Sequence, residues 1–288
     1  MLVVGLALLS GICFGAVNVA IRWGLQRVPD AEVGGALAAV VSLPVALAIG
    51  GAIGFGHVDV GEAWPFVLVG VFVPGVSQIL YVRAIRDAGA SRSAVLMGTS
   101  PLLSAVIALI ALDEPFHAAL AVGTVLIVSG GVLLAWEPGR PEHVRTIGLV
   151  LAVSVAAALA VRDNVVRKLV PHSDLEPPAR AVALLLGATL LLLAYVAVTR
   201  RSDSLAALRR GLPAFVPGGI AMGCTYLALL EALSRGRVTV VAPLNGMNAI
   251  WTVALSALIL RRVEAVNARL VVAAVATVAG GALIGAFR

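Results

Sequence analysis

The sequence predicts an all-α integral membrane protein with ten transmembrane helices, arranged as two inverted five-helix repeats. Three observations carry that prediction. Of 288 residues, 60% are hydrophobic and only 12% charged, with a mean hydropathy of +1.04, whereas a soluble domain carries about 25% charged residues. The chain also reads as ten continuous apolar runs, each close to the about 20 residues that cross a bilayer, without the every-second-residue alternation of a strand barrel. Finally, polar and aromatic landmarks recur at one offset: Tyr81 and Tyr226, Arg92 and Arg237, Asn18 and Asp163, Arg22 and Arg167 each lie 145 residues apart. Such self-similarity marks a duplication.

Each element follows in order. The run near 2–23 has neither a basic leader nor a convincing small-residue cleavage site, so it reads as a retained helix and not a signal peptide. A second run covers 33–55. The third, 64–83, is interrupted by Pro74-Gly75 and then presents Ser77, Gln78 and Tyr81. In the fourth, 91–112, Ser93, Met97, Ser100 and Ser104 share one helical face. The fifth, 116–136, ends on Gly130-Gly131, small residues that suit close helix packing in lipid.

The sixth run, 146–166, closes on Arg162, Asp163 and Asn164; the seventh covers 179–199. The eighth, 212–234, carries Pro217-Gly218-Gly219 and then Cys224, Thr225 and Tyr226, matching the break and polar group of the third. The ninth, 238–260, sets Asn245, Asn248 and Thr252 on one face, with Trp251 beside it. The tenth, 266–287, repeats the glycine pair at 280–281, where the offset has drifted to 150. The repeats are expected over 1–137 and 146–288, joined by a short linker at 138–145. Five spans per repeat bring the second repeat in from the opposite side of the membrane. Many secondary transporters use that inverted arrangement for alternating access.

The stretch YVRAIRDAGASRSAVLMGTSPLLSAVIALIALDEPFHAALAVGTVLIVSGGVLL (81–134) carries a small loop, the Pro101 helix, the Leu112-Asp113-Glu114 turn and a glycine-rich last helix. It resembles the EamA-type repeat of the drug/metabolite transporter superfamily. YLALLEALSRGRVTVVAPL (226–244) and AGGALIG (279–285) extend the resemblance through the second half. One departure is Leu260-Arg261-Arg262-Val263-Glu264 where a second acidic turn is expected, so a role shared by both turns does not follow. The resemblance implies a polytopic carrier of small metabolites, often an exporter, and says almost nothing of the substrate.

Orientation divides the two lines of reasoning. Loops on the side of the termini hold seven Lys and Arg and the opposite loops fourteen, which places both termini outside by the positive-inside rule. The resemblance implies termini in the cytoplasm. The net charge of +6 is scattered at segment ends, a topology and phospholipid signal and not a nucleic-acid footprint.

Solute should meet such a carrier near the midplane, between the repeats. The expected pathway is Gln78, Tyr81, Ser100, Tyr226, Asn245, Asn248, Trp251 and Thr252, with Ser100 the counterpart of Asn245 at the 145 offset. The competing reading is that such groups only bond helix to helix, worth about 0.6 kcal/mol each. Acids inside the membrane are the usual proton relays. Asp163 and Glu231 lie within runs, and each has an arginine four residues on, Arg167 and Arg235. That spacing favours an ion pair, so each is either a neutralised pair near the interface or a gate or relay. Asn18, the counterpart of Asp163, joins them as a gate candidate.

These features predict a secondary active transporter of a small organic metabolite or drug-like solute, working as an exporter in the plasma or inner membrane. The alternative is a flippase, or a subunit handling a lipid-linked intermediate. No GxxxxGK[ST] stretch supports an ATPase motor. A lipid-modifying enzyme would cluster acids, histidines or a nucleophile at one interface, yet His57, His117, His143 and His172 are dispersed in loops. No catalytic residue, cofactor or metal is expected, and Cys13 and Cys224 have no metal-ligand spacing. The partners anticipated are the solute, membrane lipids and a coupling proton. A homodimer is left open, and nucleic acid is not expected.

Overall fold

The computed structural model describes residues 1–88, 96–135, 146–200, 204–259 and 268–287. Among these the elements are helical, with no strand. The predicted face residue Ser93 and the linker 138–145 lie outside the described residues.

Helix α1 spans Leu2–Leu25 and α2 Ala31–Ile53. Asp30 starts α2 by accepting the Val33 amide at 3.2 Å, an N-cap followed by Glu32 in the first turn. Gly54, at φ +110, ends it, a conformation that costs glycine little. Asp59 caps α3, Val60–Gly70, in the same way as Asp30. A π-helical turn, Val71–Val76, then leads into α4, Ser77–Ala88. The break predicted at Pro74-Gly75 is therefore present, with Val73 at extended angles.

The fourth run is also discontinuous: residues 96–97 are helical, 98–99 form a turn, and α5 begins at Ser100 and ends at Ala111. Helices α6, Ala118–Ala135, and α7, Thr146–Leu169, follow. Next come α8, Pro177–Arg200, and α9, Ser204–Arg235. The break expected at Pro217-Gly218-Gly219 is not there; α9 runs through Pro213 and Pro217 without interruption. This stretch of α9 packs closely on α2, where a Cβ added at Gly219 or Gly223 would sit 2.4 Å from Val41 Cβ and 2.9 Å from the Ser42 carbonyl oxygen.

The ninth run is instead the broken one, α10 over Val238–Gly246 and α11 over Asn248–Ile259, interrupted at Met247. Helix α12, Ala268–Ala286, closes the chain. Among the described residues, six helices are long and apolar enough to cross a membrane, and Ser100–Ala111, Ala118–Leu133 and Val275–Ile284 are shorter apolar helices.

The packing follows a two-fold pattern. Helix α1 lies against α9 and against the α10–α11 pair, while α7 lies against α4 and α5. Likewise α2 packs on α9 as α8 packs on α3; α2–α8, α6–α12 and α5–α10 pair across the halves. The core gathers on α8, α9 and α10 around Leu184, Leu185, Leu229, Leu230, Leu233 and Leu244. Large apolar side chains such as Trp64, Phe72, Ile110, Leu190, Val198 and Val275 point outward, the surface expected toward lipid. Arg162 and Arg180 are buried, so two of the seven cations counted for the terminal side are not loop charges.

Candidate functional site

Three consecutive polar residues on a helix spread around its circumference, so a lone face cannot hold them all. Arg162, Asp163 and Asn164 are nevertheless at most 7% exposed, because α4, α5 and α9 enclose α7 at this level. Arg162 Nε and Nη2 donate to Asp163 Oδ1 at 2.9 and 2.7 Å. Ser104 Oγ on α5 donates to Oδ2 at 3.3 Å. Arg162 Nη1 donates to the Tyr226 hydroxyl on α9 at 3.3 Å, and the guanidinium sits 5.7 Å from that ring's centre, within cation–π range. Asn164 Nδ2 donates to the Ser104 and Ala160 carbonyls at 3.1 and 2.9 Å, leaving its Oδ1 buried without a donor.

The predicted Asp163–Arg167 pair does not form. Arg167 Nη1 donates instead to the Leu233 and Ser234 carbonyls, both at 3.1 Å, where a cation meets the negative end of α9. The adjacent Arg162 replaces it because both groups are buried, and a buried carboxylate requires a partner at contact distance. Helix α7 also continues to Leu169, which places Asp163 about 9 Å inside the helix end at 1.5 Å per residue, deeper than the apolar run suggested. The predicted Glu231–Arg235 pair is present near the end of α9, its arginine exposed.

The second polar group lies where α1 meets the break between α10 and α11. Ser10 Oγ is 3.1 Å from the Thr225 carbonyl and 3.0 Å from Asn245 Oδ1, sharing one proton between them. Asn18 Nδ2 donates to Thr252 Oγ1 at 3.1 Å. Thr252 in turn donates to the Asn248 carbonyl at 2.8 Å, and Asn248 Nδ2 to the Asn245 carbonyl at 3.1 Å. The polar face is thus carried across the break by its own side chains. Gly15 permits the approach: a Cβ there would lie 2.8 Å from Trp251 Cβ. Trp251 Nε1 is enclosed without an acceptor.

The two groups are equivalent. Asn18 and Asp163 stand 145 residues apart, and Ser104 and Thr252 stand 148 apart. Each contact ties the first helix of one half to the broken segment of the other. The breaks correspond as well: Leu96-Met97-Gly98-Thr99 turns at 98–99 and Leu244-Asn245-Gly246-Met247 at Met247. The offset in this segment is therefore 148 and not 145, which pairs Ser100 with Asn248 and corrects the expected pairing with Asn245. The segments also meet near their breaks, since a Cβ on Gly246 would be 2.7 Å from Pro101 Cγ.

The expected pathway residues consequently divide. Tyr226 joins Asp163, and Asn245, Asn248, Trp251 and Thr252 join Asn18. Ser100 is buried at the start of α5. Gln78 is elsewhere, against Gly35 of α2, in a recess lined also by Glu32 and Tyr195. Tyr81 is half-buried on α4. Helical spacing points from Asp163 to Arg167 and passes over Arg162, its neighbour in sequence, and nothing in the sequence marks Ser10 among the other serines. Among the described residues, no group of three or more His, Cys, Asp or Glu is placed to hold a metal.

Comparison with known proteins agrees with this architecture. The family model described as the EamA-like transporter family matches residues 1–136 and again 146–286. An uncharacterized transporter of Clostridium kluyveri is 26% identical over 136 residues, 43% of this chain and 43% of that protein, so the match spans under half of the relative's length. A solved crystal structure, described only as that of a protein, superposes with a TM-score of 0.69 at 19% identity, over 97% of this chain and 99% of its own. At that identity the likeness concerns the fold.

Proposed function

The chain belongs to the EamA-like transporter family of multi-pass membrane proteins, and from that premise we propose a secondary active transporter that exports a small organic metabolite or drug-like solute across the plasma membrane. Ten spans form two five-helix repeats over 1–137 and 146–288, inverted because five is odd. The observation that supports this reading is the matched pair of contacts, Asn18–Thr252 and Ser104–Asp163. Inversion sets the two near opposite membrane faces, as gates that open in turn.

Breaking the neutral gate costs little, since a hydrogen bond between membrane helices is worth about 0.6 kcal/mol. At the other gate the Ser104 bond is long, 3.3 Å, while within α7 the Asp163 carboxylate holds Arg162, which reaches across to the Tyr226 hydroxyl of α9. A proton on Asp163 would weaken that hold, which makes Asp163 the candidate for coupling to a pH gradient. Asn245, Asn248, Trp251, Thr252 and Tyr226 line the path between the gates. Uptake and efflux in proteoliposomes, across amino acids, amines, sugars and drugs with and without a pH gradient, tests the proposal. The expected result is gradient-dependent movement of one solute class. No movement of any solute, together with binding of a polyprenyl phosphate, overturns it in favour of a flippase.

A further inference from the structure

Helix α10 has no cap of its own. Its N-cap residue, Arg237, offers no side-chain acceptor, and a cation there opposes the positive end of the helix. The acceptor comes from the other half of the chain. Glu114 Oε1 takes the Val238 amide at 2.7 Å, and Oε2 takes the Thr239 amide at 3.0 Å and the Thr239 hydroxyl at 2.6 Å. These are charge-assisted bonds to unpaired amides at the positive end of a helix, where a carboxylate is most effective.

The turn that delivers Glu114 is specialised for its task. Asp113 adopts φ +51, the sole positive value at a non-glycine among the described residues. Side chains tolerate that region poorly, aspartate and asparagine best. The Leu112 and Glu114 amides both return to the Ala108 carbonyl, at 3.1 and 3.3 Å, and Leu112 packs against the main core. The carboxylate is therefore held by a fixed turn rather than a free loop.

Helices α5 and α10 are thus joined at both ends. Glu114 follows the last turn of α5 and holds the first turn of α10, while Gly246 at the end of α10 rests on Pro101 at the start of α5. The two half-helices run antiparallel, and each adjoins a discontinuity, 98–99 and Met247.

We propose that Glu114 is a positioning residue for transport, clamping α10 to α5 so that these half-helices, one from each repeat, swing as one body about the turns at 98–99 and Met247. This rests on the transport reading above and adds a moving unit that crosses the repeat boundary. Ser104, on α5, and Asn245, on α10, are carried on this body, so the clamp links one gate to the opposite polar face.

The test uses the full chain in lipid nanodiscs, comparing wild type with Glu114→Ala and Glu114→Gln by hydrogen–deuterium exchange. Loss of the charge-assisted bonds in Glu114→Ala should speed exchange over 238–246 by about tenfold, less in Glu114→Gln, which keeps one acceptor. Exchange over Leu2–Leu25 and Pro177–Arg200 should not change. With the solute found by the proteoliposome screen, Vmax should fall by about tenfold while KM stays within about twofold, because the body's movement and not solute contact is impaired. Unchanged exchange over 238–246 overturns the clamp, as does equal acceleration in every helix, the mark of general loosening. A KM that rises as much as Vmax falls also overturns it. Exchange needs no solute, so localised acceleration in a chain that moves none sinks the transport reading alone.

Discussion

Asp163→Asn removes the charge that holds Arg162 and leaves a guanidinium 7% exposed with neutral acceptors alone, the amide oxygen at position 163 and the Tyr226 hydroxyl at 3.3 Å. Removing one member of a buried ion pair costs about 3 to 5 kcal/mol. Two short bonds to Oδ1, at 2.9 and 2.7 Å, argue for that range; the longer Ser104 contact at 3.3 Å adds little. The expected destabilisation is about 3 kcal/mol, and Arg162→Met in the same background should recover most of it, since replacing both charges by apolar bulk is often neutral. Thermal unfolding in detergent, run as a double-mutant cycle, measures the coupling directly. The cycle between Arg162 and Asp163 should give at least about 1.5 kcal/mol, and the cycle between Asp163 and Arg167 under about 0.5 kcal/mol. The reverse order would refute the structural assignment and restore the pair that helical spacing suggests. Equal, near-zero couplings would show that the buried pair contributes nothing.

Other substitutions probe the gates and the packing between helices. Asn18→Ala should shift thermal stability only slightly, by about 0.6 kcal/mol for one lost membrane hydrogen bond, while changing the transport rate; an unaltered rate would remove Asn18 from the gate. Gly15→Ala drives a methyl to 2.8 Å from Trp251 Cβ and should cost about 1 to 3 kcal/mol by overpacking, read by unfolding midpoint. Gly70→Ala places a Cβ 1.8 Å from the Leu184 carbonyl oxygen, backbone that cannot turn aside, so folded protein should be absent on size-exclusion chromatography.

The sequence alone determined the class and the duplication. Hydropathy needs only composition and run length, because lipid demands about 20 apolar residues wherever a helix crosses. The repeat was visible at Tyr81 and Tyr226 and at Asn18 and Asp163, because polar residues stand out in an aliphatic background. The Glu231–Arg235 pair was also legible, being local to one helix. Tertiary structure decided the partners. Whether Asp163 faces Arg162 or Arg167 depends on which side of α7 its neighbours enclose, and helical spacing carries no information about that. Proline likewise coincides with a break in the third run and not in the eighth, a difference that the prolines themselves do not carry. The Glu114 cap joins residues more than a hundred positions apart, and the sequence shows only a turn. Periodicity reports what one helix presents; which groups meet is set by the helices packed against it.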